Sequence, residues 1–201
     1  MNDAQLAGPL QRLMEELKKL PGIGARSAER IAFHLLKADR AEALGLANAV
    51  IATKDEIRPC SRCYNLADGE LCSICKDARR DQTQIIVVEQ PKDVLTLEAT
   101  GAITGVYHVL MGHIAPLEGV GPADLTIDAL VRRVKAGSVR EIVLATNPTL
   151  EGDATALHIM SLMADAGVNI TRLARGIAPG SQIEFANRAM LEEAFRGRRQ
   201  A

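Results

Sequence analysis

All four cysteines of this 201-residue chain stand close together, as Cys60-x2-Cys63 and Cys72-x2-Cys75. Each CxxC pair can turn both of its thiolates onto one ion, and four thiolates fill a tetrahedral zinc shell with no position left for water. The expected ion is therefore structural, one Zn2+ per chain held by Cys60, Cys63, Cys72 and Cys75. Disulfides are the competing use of clustered cysteines, and they belong to exported proteins. Met1 to Gln11 has neither a basic start nor an apolar signal core, and the longest weakly polar run, Ala43 to Ala52, is too short to span a bilayer. The expectation is a cytoplasmic protein with no membrane contact. The cysteine segment has few apolar residues of its own, so zinc must supply most of its folding energy, ~10 to 16 kcal/mol in zinc-finger peptides. Arg58, Arg62, Arg79 and Arg80 surround it, either to touch phosphate or to keep it soluble.

Before the cysteines the chain reads as helical. Leu6, Leu10, Leu13, Met14, Leu17 and Leu20 recur at helical spacing over Gln5 to Leu20, and the run stops at Pro21-Gly22. A second helix is expected over Ala25 to Lys37, burying Ala28, Ile31, Ala32, Leu35 and Leu36. A third begins after Asp39, whose carboxylate can cap it while Glu42 reaches back, and runs to about Thr53. Leu20-Pro21-Gly22-Ile23-Gly24 leaves room only for a tight hairpin between the first two helices. Its glycines expose backbone amides, and the next helix starts with free N–H groups and a positive dipole end, which together suit a phosphate. At 100° per residue, Arg30 lies about 40° and Lys37 about 20° from Arg26, away from the apolar side. Gly22, Gly24, Arg26 and Arg30 are therefore the candidate phosphate-contacting group; a plain helical corner with solvated arginines is the other reading. Phe33 falls on the basic side, which fits a subunit contact.

After the cysteines the rhythm changes to short strands alternating with helices. Strands are expected at 85–88, 106–110, 142–144 and 168–173, and helices at 92–99, 126–136 and 154–166, an order that gives a parallel sheet with helices on its faces. Such sheets carry their sites beyond the carboxyl ends of the strands. Glu89 follows the first strand, and Asn147, Thr149, Glu151 and Asp153 follow the third. The glycines of Met111 to Gly121 lack the Gly-Lys-Ser/Thr ending of a nucleotide loop, so no ATPase is expected. His108 and His113 are expected to be packed or solvent-facing.

The hairpin LPGIG, the four-cysteine cluster, IIVVEQPKDV and ATNPTLEGDATA, in that order, resemble the RecR family of bacterial recombination mediators over essentially the whole chain. The resemblance implies an α/β protein with segments at 1–57 (helix-hairpin-helix, DNA-binding and dimerising), 58–80 (zinc motif), 81–175 (Toprim domain, the fold shared by topoisomerases and primases) and 176–201 (C-terminal helical, oligomerising). In catalytic Toprim proteins a glutamate after the first strand and an Asp-x-Asp pair after the third hold magnesium. Glu89 matches the first, but Asn147 and Thr149 stand where the aspartates would be. Magnesium is poorly served by neutral amide and hydroxyl groups, so these residues imply a protein without catalysis. Glu151 and Asp153 then serve as helix-capping charges or as residual metal or partner contacts. The alternative is a Toprim nuclease or nicking enzyme using Glu89, Glu151 and Asp153.

The resemblance further implies a homotetrameric ring that binds DNA and acts with RecO and RecF to help load RecA at single-strand gaps. The basic tail Arg196-Gly197-Arg198-Arg199 either takes part in the C-terminal subunit contacts or frays. Composition sets limits on how DNA could be held. The net charge of -1 excludes binding by bulk charge, and 2% aromatic residues exclude a stacked platform for bases. By segment, the net charges are 0 for 1–57, +2 for 58–80, -6 for 81–170 and +3 for 171–201. An acidic body with basic flanks predicts weak, salt-sensitive contact per subunit that becomes effective when several subunits act together.

Overall fold

Pro9 sits in the first turn of α1 (Gly8–Lys18), where a missing N–H costs the helix no internal hydrogen bond. The computed structural model describes residues 7–198, so Gln5 and Leu6, expected in this helix, lie outside the described residues, as does Arg199 of the basic tail. After α1 the Ile23 N–H donates to the Leu20 carbonyl at 3.1 Å, and Gly22 has φ +79°. Proline second and a positive-φ glycine third are what a type II turn requires, and a side chain at position 22 would be strained there. The turn leads into α2 (Ala25–Lys37) and then α3 (Arg40–Glu56). Asp39 caps α3 by accepting from the Glu42 N–H at 2.8 Å. Glu42 turns its own carboxylate toward His34 Nε2, 3.9 Å away, instead of back to the Asp39 amide.

These three helices form one compact unit, which ends at Ile57. Among its described residues only Ala28 and Ala32 are buried. Leu36, expected on the buried side of α2, is 65% exposed, and Leu44, Leu46, Val50 and Ile51 of α3 are exposed as well. Periodicity finds an apolar face but does not supply anything to cover it. Three short helices leave an open apolar groove of about 410 Å³ lined by Leu10, Leu13, Leu35, Leu36 and Leu46 among others.

The second unit starts at Arg58. It opens with a small antiparallel pair, β1 (Arg58–Pro59) and β2 (Leu66–Ala67), and the one-turn helix α4 (Ser73–Lys76). There follow β3 (Asp81–Val88), α5 (Pro91–Glu98), β4 (Gly105–Val109), α6 (Ile127–Lys135), β5 (Glu141–Leu144), α7 (Leu150–Leu162), β6 (Asn169–Arg172) and α8 (Arg188–Arg196). The four longer strands make a parallel sheet in the order β4-β3-β5-β6. Alternate side chains of the sheet enter two apolar layers: Ile85, Val87, Ile142 and Leu144 pack with α6 and α7, and Ile86, Val88, Tyr107 and Val109 pack with Val94 of α5 and Ile74 of the cysteine segment. The α/β class and the parallel sheet are as the sequence led one to expect. Boundaries move: β3 starts at Asp81, ahead of the expected 85, and α7 runs Leu150–Leu162 in place of 154–166, starting early because the Thr149 hydroxyl accepts from the Gly152 N–H at 3.1 Å and caps it.

The direction of winding reverses between β3 and β5, which makes their carboxyl ends the switch point of the sheet. On the edge strand β4, His108 is fully buried, with Nε2 3.0 Å from the Thr126 carbonyl and Nδ1 without a hydrogen-bond partner. Burial draws its pKa from 6.5 down to about 4. Between those values only the unfolded chain takes up the proton, so stability falls as pH drops through that window. The loss approaches about 3 kcal/mol near pH 4. Urea unfolding of wild type and His108→Gln at about pH 7 and about pH 5 should show the steeper acid loss in wild type.

Candidate functional site

The cysteine cluster is assembled by short-range backbone bonds. Cys60 N–H donates to the Asn65 carbonyl at 2.7 Å and Tyr64 N–H to the Cys60 carbonyl at 3.0 Å, closing a tight knuckle in which Tyr64 adopts φ 63°. In the second pair, Lys76 N–H returns to the Cys72 carbonyl at 3.1 Å. All four sulfurs lie within 4.8 Å of one another and all four cysteines are buried. That donor set, soft, four in number, close together and closed to solvent, fits zinc, and a shell of four cysteines leaves no site for chemistry on the ion. With sulfur protons still present, burial pushes the Cys72 thiol up, whereas Cys75, accepting from Cys63, is drawn down to about 6. Among the described residues no other group of three or more His, Cys, Asp or Glu side chains is placed to hold a metal.

The knuckle is fastened to the sheet. Val109 N–H, on the outer edge of β4, donates to the Cys63 carbonyl at 2.8 Å, and the Tyr64 ring meets His108 edge-on at 5.4 Å. Two steps along that edge, the Tyr107 carbonyl accepts from the guanidinium of Arg133, on α6, at 2.7 Å. An edge strand with unpaired backbone groups invites unwanted pairing; here the cysteine segment and Arg133 occupy it. Of the nearby arginines, Arg79 pairs with Asp77, and Arg80 pairs with Glu98 and donates to the Ile103 carbonyl at 3.0 Å. Arg80 therefore ties the chain to the sheet.

At the switch point, Glu89 is 2% exposed and both of its carboxylate oxygens are occupied. One accepts from the Asn147 N–H at 2.7 Å; the other accepts from Asn147 Nδ2 at 2.7 Å and lies 3.1 Å from His113 Nδ1. Gly152 packs directly against this pair: a Cβ there would lie 2.1 Å from the Asn147 carbonyl oxygen and 2.8 Å from Glu89 Oε1. Thr149 is spent on capping α7. The side chains that stand in for the two aspartates thus have other uses, as a donor to Glu89 and as a helix cap. Glu151 is exposed, while Asp153 receives the guanidinium groups of Arg172 and Arg175, which hold its carboxyl far below the usual carboxylate range. Glu89, Glu151 and Asp153 do not form a metal-holding group. The partners of these carboxylates, His113, Arg172 and Arg175, carry no motif signal in the sequence; only proximity in the fold identifies them.

In the first unit, Gly24 is the N-cap of α2 with no side-chain cap, and Arg26, Arg30 and Lys37 are all exposed. Neither Arg26 nor Arg30 has a carboxylate within ion-pair distance among the described residues. No atom lies within 4 Å of a Cβ built at Gly22 or Gly24, so the hairpin backbone is open to a ligand. Free amides, a positive helix end and two unpaired guanidinium groups form one cationic corner able to take a phosphate group.

Comparison with known proteins follows the same order along the chain. Residues 10–53 match the family model for the RecR helix-hairpin-helix, residues 57–77 that for the RecR four-cysteine zinc finger domain, and residues 83–174 that for the Toprim domain. The chain is 54% identical over 192 residues to "Recombination protein RecR" of Rhodopirellula baltica, covering 96% of both chains. It is 50% identical over 198 residues to the protein of that name from Chloroflexus aurantiacus, covering 98% of this chain and 97% of the other. The Thermobifida fusca protein of that name is 49% identical over 192 residues, 96% of each.

Proposed function

This chain belongs to the RecR family of recombination proteins, and on that premise we propose that it is a non-catalytic DNA-binding mediator of recombinational repair, which works as an assembled homotetrameric ring with RecO and RecF to help load RecA at single-strand gaps. The observation that carries the DNA-binding part is the cationic corner at Gly22, Gly24, Arg26 and Arg30, whose guanidinium groups have no carboxylate to neutralise them among the described residues. Phosphate contacts of this kind hold DNA without reading its sequence. Self-association is supported by the apolar groove of the first unit and by Phe185 and Phe195, 78% and 71% exposed near the C-terminal end. An open apolar groove of this kind marks an interaction surface. Several weak corners on one ring then act together, which is how a chain of net charge -1 can stay on DNA.

The absence of catalysis is supported by Glu89, whose oxygens are taken by Asn147 and His113 and are not available to clamp a magnesium ion. One zinc ion per chain is proposed at Cys60, Cys63, Cys72 and Cys75, with a structural role. No helix among the described residues is long and apolar enough to cross a membrane; the cytoplasmic location we propose rests instead on the recombination role named for the relatives.

Replacing Arg26 and Arg30 together with alanine is expected to weaken DNA binding and to flatten the dependence of log K on log salt by about one for each arginine removed. Zinc content should not change. Wild-type affinity and slope in the double variant would reject the assignment. Supercoiled plasmid incubated with the wild-type protein and magnesium should stay intact; cleavage that vanishes in Glu89→Gln would establish the nuclease alternative instead.

A further inference from the structure

Four thiolates outweigh one zinc ion by two negative charges, and a buried centre with uncompensated charge is costly unless cations lie beside it. Most cations near the cysteine segment are already matched: Lys76 lies 4.0 Å from Asp68, Arg79 is 2.8 Å from Asp77, and Arg80 pairs with Glu98. Arg62 and Arg133 are different. Among the described residues neither has a carboxylate within ion-pair distance, and each donates to a neutral backbone carbonyl, Arg62 to Cys75 at 3.5 Å and Arg133 to Tyr107 at 2.7 Å. The first places a guanidinium on a zinc ligand's own backbone. The second anchors one on the edge of β4, two residues from the Val109 N–H that holds Cys63. Burial lowers the Arg133 pKa, the charges of Cys75, Cys63 and Cys60 act to raise it, and the nearby Arg62 guanidinium acts with burial to lower it.

We propose that Arg62 and Arg133 are the built-in counter-cations of the zinc–tetrathiolate centre, bringing it to overall neutrality and so making its sulfurs poor nucleophiles toward electrophiles. The inference rests on the zinc reading above. Its chemical consequence is specific. A zinc-bound thiolate adds through sulfur to the activated alkene of a maleimide; the carbon next to the carbonyl takes a proton from water, and the neutral thioether formed no longer holds zinc. Excess negative charge on the centre speeds this addition, and adjacent guanidinium groups slow it.

The test is zinc release from full-length protein treated with N-ethylmaleimide, followed with a chromogenic chelator. Arg133→Gln and Arg62→Gln should each accelerate release, roughly tenfold for Arg133, the double variant more so, and Arg133→Lys should stay near wild type because it keeps the charge. Should Arg133→Gln fail to fold, exposed Arg62→Gln decides alone: unchanged release overturns the inference, as does equal release from Arg133→Gln and Arg133→Lys. Wild-type protein that holds no zinc would overturn the zinc reading itself, an outcome separate from the others.

Discussion

Cys72→Ser is expected to release the zinc and melt the cysteine segment from Arg58 to Asp77, with a larger stability loss than any of the other substitutions. The segment's own buried cluster consists of the four cysteines and Ala67, with only Leu71 and Ile74 packed against it. Without the ion nothing of comparable strength holds it, since structural zinc contributes ~10 to 16 kcal/mol of apparent binding energy in small domains. That exceeds most of the margin of an ordinary protein, about 5–15 kcal/mol. The damage extends into the sheet. Val109 would lose its acceptor at Cys63 and the Tyr64 ring would leave buried His108, exposing the outer edge of β4. Metal analysis together with limited proteolysis should show zinc lost, early cleavage between residues 58 and 77, and aggregation on warming. A variant without zinc that keeps the wild-type urea midpoint would refute the structural role.

Gly152→Ala is the second large effect, and it probes the switch point of the sheet. A methyl group at this position meets the Asn147 carbonyl oxygen at 2.1 Å and Glu89 at 2.8 Å, and the first contact is with backbone, which cannot swing aside. Either α7 shifts away from the sheet or the Glu89–Asn147 bonds break and leave a buried carboxylate unpaired. Overpacking costs about 1–3 kcal/mol and an unsatisfied buried charge adds to it, so a loss of about 3 kcal/mol or more is expected. Gly45→Ala on α3 is the matched control: nothing lies within 4 Å of its Cβ, and removing a glycine from a helix interior should stabilise by about 0.5–1 kcal/mol. Urea midpoints that move in opposite directions for the two variants would confirm the contrast; a neutral Gly152→Ala would contradict the packing described.

What could be read directly from the residues was local. The CxxC spacing names its own ligands because each knuckle is closed by bonds spanning at most five residues, such as Cys60 to Asn65. Pro21-Gly22 dictates a turn, Asp39 a helix start, and the alternation of β-branched runs with helical patterns a parallel sheet, each through rules that act within a turn or a strand. The mismatch at Asn147 and Thr149 was legible only through the resemblance, as a loss of negative charge where catalytic Toprim proteins hold magnesium.

The tertiary structure alone decided what those residues do instead. Asn147 donates to Glu89 across 58 residues of chain, and His113 completes the pair from a loop 24 residues away. Asp153 stands in the first turn of α7, as a helix-end charge would, and is also held by Arg172 and Arg175 from β6 and beyond it. Arg133 belongs to a helix far in sequence from the cysteines yet donates to β4, the strand to which the cysteine knuckle is hydrogen-bonded. Such pairings depend on strand order and on which loops the sheet brings together, and no periodicity encodes them. The same reason explains the exposure of Leu36: sequence spacing sets the direction an apolar side chain faces, whereas burial is set by what the folded and assembled protein places against it.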